Sequence, residues 1–157
     1  MNTTLPKITL GEAVNTIDAS IELIINEIPL EDSAIEEITY AVNNHKWIRD
    51  YLIGLPETYG LDESINFVNY LSRLTNAEDC FAYDTVMAMY HFEKENHDLV
   101  NVYLESATKS NPNYELLRLV KRVVSAKWAS NSFAGMRKDL AKKVAEEISN
   151  NAKEVIG

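Results

Sequence analysis

Two histidines and the acids beside them come nearest, in this chain, to residues whose types and spacing could do chemistry. His91 and Glu95 stand four apart, so one helix would carry both on the same face, and His97 and Asp98 follow just beyond. A metal ion needs three or four convergent ligands, each steadied by a partner behind it. Two of these come at helical spacing and the rest would have to come from a turn, so the expected reading is a solvated helix end. Cys80, the single cysteine, lies beside Asp79 near a helix start. A thiol there could have a lowered pKa. No histidine is near it in sequence, however, and a buried structural thiol is expected. The chain has no glycine-rich phosphate loop, nucleophile elbow or zinc-protease helix. No carboxylate pair stands out among its 24 acids. The residues predict no catalytic group, no cofactor and no metal, and a protein that is not an enzyme.

The basic residues make the better lead. Residues 1–108 hold five bases against nineteen acids, a net −14, whereas residues 109–143 hold nine bases against two, a net +7. The chain reads as an acidic body with a basic last third. Arg118, Lys121, Arg122 and Ser125 fall on one face of a helix, opposite Leu116, Val120, Val123 and Val124. Arg137, Lys138, Lys142 and Lys143 lie near the start of the final helix. If the two helices are neighbours, the sets merge into one positive surface. Three readings stay open: ordinary solvated faces, a contact for an acidic protein partner or the acidic body of a second copy, and a nucleic-acid contact. Clustered Lys and Arg suit phosphates, but the body would repel the same polyanion, and no stacking platform or reading helix of known type is present. A protein partner is expected, with a nucleic-acid-associated accessory role as the alternative.

Length and composition bound the fold that must position these groups. The 157 residues are one ordinary domain, 1–157, with globular composition and only five glycines and four prolines between long periodic runs. That predicts an all-α protein, a compact bundle of seven or eight helices. One cysteine fits a reducing, cytoplasmic setting. No secretion signal is evident, and no apolar run approaches the roughly 18 residues that cross a bilayer, so no membrane role is expected.

In order, residues 1–30 predict one helix capped by Thr9, with Glu12 reaching back. Its stripe of Leu10, Val14, Ile17, Ile21, Ile24 and Ile28 is a heptad seam, read either as a helix laid on the body or as half of a homodimer contact. Residues 31–75 predict a helix capped by Asp32 or Ser33, a short one from His45 closed by Gly54, and one capped by Asp62. Adjacent residues Arg49 and Asp50 point to different sides, so their pairing is not assumed. Residues 76–129 predict a helical hairpin backed by a third helix after Pro112, with Phe81, Val86, Met89, Tyr90, Leu99, Val102, Tyr103, Leu116, Val120 and Val123 as buried stripes. Residues 130–157 predict a final helix through Phe133, Met136, Leu140, Val144 and Ile148, fraying at NNAKEVIG.

Two resemblances are carried by these stretches. With Pro112 as a closing proline, Ala107 and Ala88 fall on the small positions of a tetratricopeptide unit, and ATKSNP resembles the end of its second helix. Val100 and Glu95 replace the motif's second-helix small residue and turn glycine, its first-helix aromatic is displaced to Tyr90 or Phe92, and no second copy precedes it. The resemblance therefore implies one tetratricopeptide-like hairpin inside the bundle. Residues 29–52, PLEDSAIEEITYAVNNHKWIRDYL, and 100–120, VNVYLESATKSNPNYELLRLV, carry the broader likeness. There Ile48, Arg49 and Asp50 match a Val-Arg-Asp, and Asn111, Pro112 and Tyr114 match an Asp-Pro-x-Tyr. From about Pro29 to Trp128 the chain resembles the helical C-terminal part of an actinobacterial and phage family catalogued as domain of unknown function 4192. The family's α/β portion is replaced here by one helix. The resemblance implies a helical fold and a phage or host-directed protein, and no activity. Taken together, the expected function is a non-enzymatic protein-protein interaction module, its contacts being the basic face or the groove beside the hairpin.

Overall fold

The computed structural model describes residues 7–157, so the first six residues of the expected N-terminal segment lie outside it. The described residues are all helical apart from turns and one isolated antiparallel bridge, Thr9 to Val155. The order is α1 (Leu10–Ile25), α2 (Asp32–Asn44), α3 (Lys46–Gly54), a single turn α4 (Pro56–Tyr59), α5 (Leu61–Arg73), a 3-10 turn (Ala77–Asp79), α6 (Phe81–Glu93), α7 (His97–Ser110), α8 (Glu115–Ser125) and α9 (Ser132–Asn150). None of these helices is long and apolar enough to cross a membrane. Buried apolar side chains form one cluster from Ile8 to Ile156.

The bundle is built around α6. Every residue from Ala82 to Phe92 is buried, so this helix has no solvent face. The sequence predicted one stripe. A helix covered on all sides needs apolar or small residues all round, and FAYDTVMAMYHF supplies them. Helices α3, α5, α7, α8 and α9 all pack on it. The α6–α7 pair is an antiparallel hairpin: Asp84 meets Ser106 and, further along, His91 meets Tyr103. Ala88 and Ala107 are fully buried in it. On α7 the buried residues are Val100, Leu104 and Ala107, while Val102, expected inside, is 56% exposed because it lies off the face turned to α6.

Several polar groups inside this core are paired. Asp84, 2% exposed, accepts from the hydroxyls of Ser72 at 3.1 Å and Ser106 at 2.6 Å. Burial raises its carboxyl above the ordinary range, and the two serines draw it partway back. Tyr83 shares its hydroxyl with Thr39 at 2.8 Å, and Tyr90 donates to the carbonyl of Leu52 on α3.

Caps explain where helices begin and end, and they correct several expectations. Thr9 and Glu12 form the expected capping box. The other first-turn donors of α1 are met by the chain's far end: Leu10 N–H and Gly11 N–H donate to the carbonyls of Glu154 and Ala152, each at 2.9 Å. Ile156 N–H donates back to Ile8 at 2.9 Å and the Ile156 side chain is buried, so the tail expected to fray is held. Neither Asp32 nor Ser33 caps α2, whose N-cap is Glu31 without a side-chain bond, and Gly60 rather than Asp62 precedes α5. Asn76 opens the 3-10 turn rather than capping α6. Helix α1 ends at Ile25, so Ile28 leaves the heptad seam and lies half exposed. Gly54 ends α3, as expected, but it also lets α9 approach: a Cβ there would lie 2.9 Å from that of Ala141.

Three helices stop in the same way. Glu27, Glu95 and Lys127 take left-handed φ values of 59°, 58° and 55°. After each, the next N–H reaches back to the carbonyl five residues before it, Ile28 to Leu23, Asn96 to His91 and Trp128 to Val123. This is the Schellman arrangement, which glycine fills without steric cost. Glu95 thus occupies a backbone conformation that glycine adopts at no steric cost.

Glu95→Gly should stabilise the protein by about 0.5–1 kcal/mol in urea denaturation, because the steric cost of the left-handed residue exceeds the entropy that glycine adds to the unfolded chain; a loss of stability would contradict the cap assignment. A raised carboxyl contributes most to stability below its unfolded pKa of about 3.9 and less as pH rises through the folded value. Asp84→Asn, which still bonds both serines, should therefore equal or exceed the wild type at pH 7, with the advantage shrinking towards pH 4.

Candidate functional site

The residues singled out for metal or thiol chemistry are held in other ways. His91 is 7% exposed, stacks on Tyr103 with ring centroids 5.5 Å apart, and has its Nδ1 buried without a hydrogen-bond partner. Burial, and then Lys94, lowers its pKa, so it stays neutral. Glu95 and His97 lie exposed at the turn. Among the described residues no three of His, Cys, Asp and Glu stand together as metal ligands would. Cys80 is buried, and its Sγ lies 3.3–3.4 Å from the carbonyls of Ser72, Thr75 and Asn76. Burial raises its pKa, so the thiol is not activated.

The basic residues divide sharply. Arg137, expected on the contact surface, is a correction: it is closed inside the fold between Glu93 of α6 and Glu57 of α4, with its Nε 3.5 Å from Glu57. Only 15% of its side chain is exposed. It fastens α9 to the core. Lys138 and Lys142 are exposed, as expected. Helix α9 packs mainly along α3, however, while α8 packs on α6 and α7, so the two basic sets do not merge directly. The groove expected beside the hairpin is likewise filled, by α5 and α8 on α6.

What the structure does bring together is α3 and α8. Lys46, Arg49, Arg118 and Arg122 line one cleft of about 850 Å³, with Asn113, Glu115, Leu116 and Leu119 completing its walls. Arg118 and Arg122 are exposed, one helical turn apart on α8, and Lys121 is half-buried beside them, outside the cleft. Leu117, Val120 and Val123 on the other side of α8 are buried and fix its rotation.

Arg49 is the best-anchored of the four bases. Its Nε and Nη2 lie 2.9 and 2.8 Å from Oδ1 of Asp50, so these adjacent residues, whose pairing the sequence left open, do pair. The long arginine side chain folds back over a carboxylate that is only 7% exposed and has no other cation to meet. The Tyr114 hydroxyl lies against the same guanidinium, and the Tyr114 ring is set edge-on to Phe81 at 4.9 Å. Burial works against the Arg49 charge, and Asp50 with Tyr114 outweighs it, raising the pKa further. The contact chain Asp50, Arg49, Tyr114, Phe81 therefore ties α3, the start of α8 and the start of α6 into one corner. Nearby, Lys46 and Lys143 lie 4.8 and 5.8 Å from the centre of the Trp47 ring, so α3 stands between the α8 bases and those of α9.

Sequence reasoning found Arg118 and Arg122 and missed Lys46 and Arg49, which belong to the acid-rich part of the chain. No protein-family model, curated protein or solved structure matches the chain.

Two arginines should separate the structural role from the surface one. Arg137→Ala leaves Glu57 and Glu93 without their cation and should cost about 3 kcal/mol. Arg118→Ala should change stability by no more than about 0.5 kcal/mol. Equal losses in thermal or urea unfolding would contradict this division.

Proposed function

We propose that this protein is a non-enzymatic protein-interaction module that takes an acidic segment of a partner into the cleft between α3 and α8. The observation that carries the reading is the convergence of Lys46, Arg49, Arg118 and Arg122 on one cleft that also presents Leu116 and Leu119. Charge beside apolar surface suits a polypeptide with acidic and apolar side chains, because each kind of group finds its complement. The net charge of −9 over the whole chain opposes a long polyanion, but a short segment ends within about one Debye length of the cleft. The acidic body of a second copy offers the same chemistry. A phage or host-directed setting, implied by the family resemblance, belongs to this proposal and not to the observations.

The alternative is a nucleic-acid-associated accessory protein. It draws on Trp47, an aromatic ring with two lysines close to it, the pairing that single strands use. Two measurements decide. Arg118→Glu with Arg122→Glu should reduce recovery of partners from host lysate by about tenfold or more; an unchanged partner list from the double variant discards the cleft. Single-stranded and duplex DNA should not bind the wild type at low salt, whereas binding that falls steeply as salt rises would put the alternative first.

A further inference from the structure

Resting on the cleft as the binding site, we infer that the group it recognises is a phosphorylated side chain, a phosphomonoester on a serine or threonine of the partner segment. The first ground is the choice of base. The chain has ten lysines and only five arginines, yet three of the four bases lining the cleft are arginines. A fourth arginine, Arg137, is closed off between Glu57 and Glu93, which leaves only Arg73 outside these two settings. A lysine-rich chain that places its arginines this way uses the planar fork, which bonds oxyanions through two parallel N–H groups, rather than positive charge alone.

The second ground is preorganisation. Arg49 is oriented before any ligand arrives: Asp50 takes two of its nitrogens, and the Tyr114 hydroxyl, on a ring set edge-on to Phe81, is near enough to support its charge. Its remaining N–H groups are left for the cleft, where Arg118 and Arg122 add two exposed guanidiniums one helical turn apart. The third ground is stoichiometry. A side-chain carboxylate has two oxygens and one charge, so it satisfies one such fork. A phosphomonoester has three terminal oxygens and a charge of about −1.5 to −2 at neutral pH. Three guanidiniums match it. Glu115, the one acid on the walls, repels any anion in proportion to its charge, but the four bases around it outnumber it.

The test uses the whole chain and fluorescently labelled degenerate peptides in three pools, with phosphoserine or phosphothreonine, glutamate, or unmodified serine or threonine at the centre. The phosphorylated pool should bind about tenfold more tightly than the glutamate pool. Arg118→Lys with Arg122→Lys keeps the charge and lies on the surface. It should bind both pools and lose the preference between them, with an unchanged circular dichroism spectrum. Equal binding of the phosphorylated and glutamate pools by the wild type overturns the phosphate inference and leaves the acidic-segment reading standing. No binding of any pool overturns both. A preference that survives in the lysine variant overturns the three-guanidinium arrangement, and inorganic phosphate competing as well as the phosphopeptide pool reassigns the site to free phosphate.

Discussion

The constraint on which this structure depends is the complete enclosure of α6. A helix with no solvent face must be walled in by several others, and here five of them converge on it. Its buried Tyr83, Val86, Met87, Met89, Tyr90 and Phe92 are part of the apolar burial that opposes chain entropy. The same enclosure fixes what can lie at its ends. At its start, Phe81 reaches Tyr114, and at its end Glu93 holds Arg137. The positions of α3, α8 and α9, which carry nearly all of the grouped bases, are therefore consequences of how α6 is covered.

Basic residues of identical appearance in the chain have two fates under this arrangement. Arg137 lies where two acids from different helices face inward, and its charge is matched within the fold. Arg118 and Arg122 lie on the outer face of a helix whose other side is all Leu and Val, and face outward into a cleft. Arg49 is intermediate: it is paired, yet it still forms part of the cleft wall. Pairing of this kind orients a charge without cancelling its directional hydrogen bonds, so the same contacts that position α3 also orient the Arg49 guanidinium at the cleft wall.

The helices were legible from the sequence because each carries its own period, and that information is local. The capping box of Thr9 and Glu12 and the outward face of α8 were read for the same reason. What escaped depends on residues distant in the chain. The tail was expected to fray, since nothing in NNAKEVIG announces that Ile8–Gly11 will pair with it. Arg137 could not be told from Lys138, because Glu57 and Glu93 are brought to it only by folding. Lys46 and Arg49 were hidden by averaging charge along segments, a procedure that mixes a local cluster with its acidic surroundings. The left-handed backbone at Glu95 was not legible from the residue type, since the turn that imposes it is set by the helices on either side.

The central claim is that the corner built by α3, α8 and the start of α6 is where an acidic segment is received. Amide and arginine side-chain NMR shifts, followed while polyglutamate is added to isotopically labelled protein, test it most directly. The account predicts perturbations concentrated at Lys46, Arg49, Asn113, Arg118 and Arg122, with the Arg137 side-chain signal unmoved. Shifts centred instead on Lys138 and Lys142, or spread evenly over all exposed lysines, would contradict it.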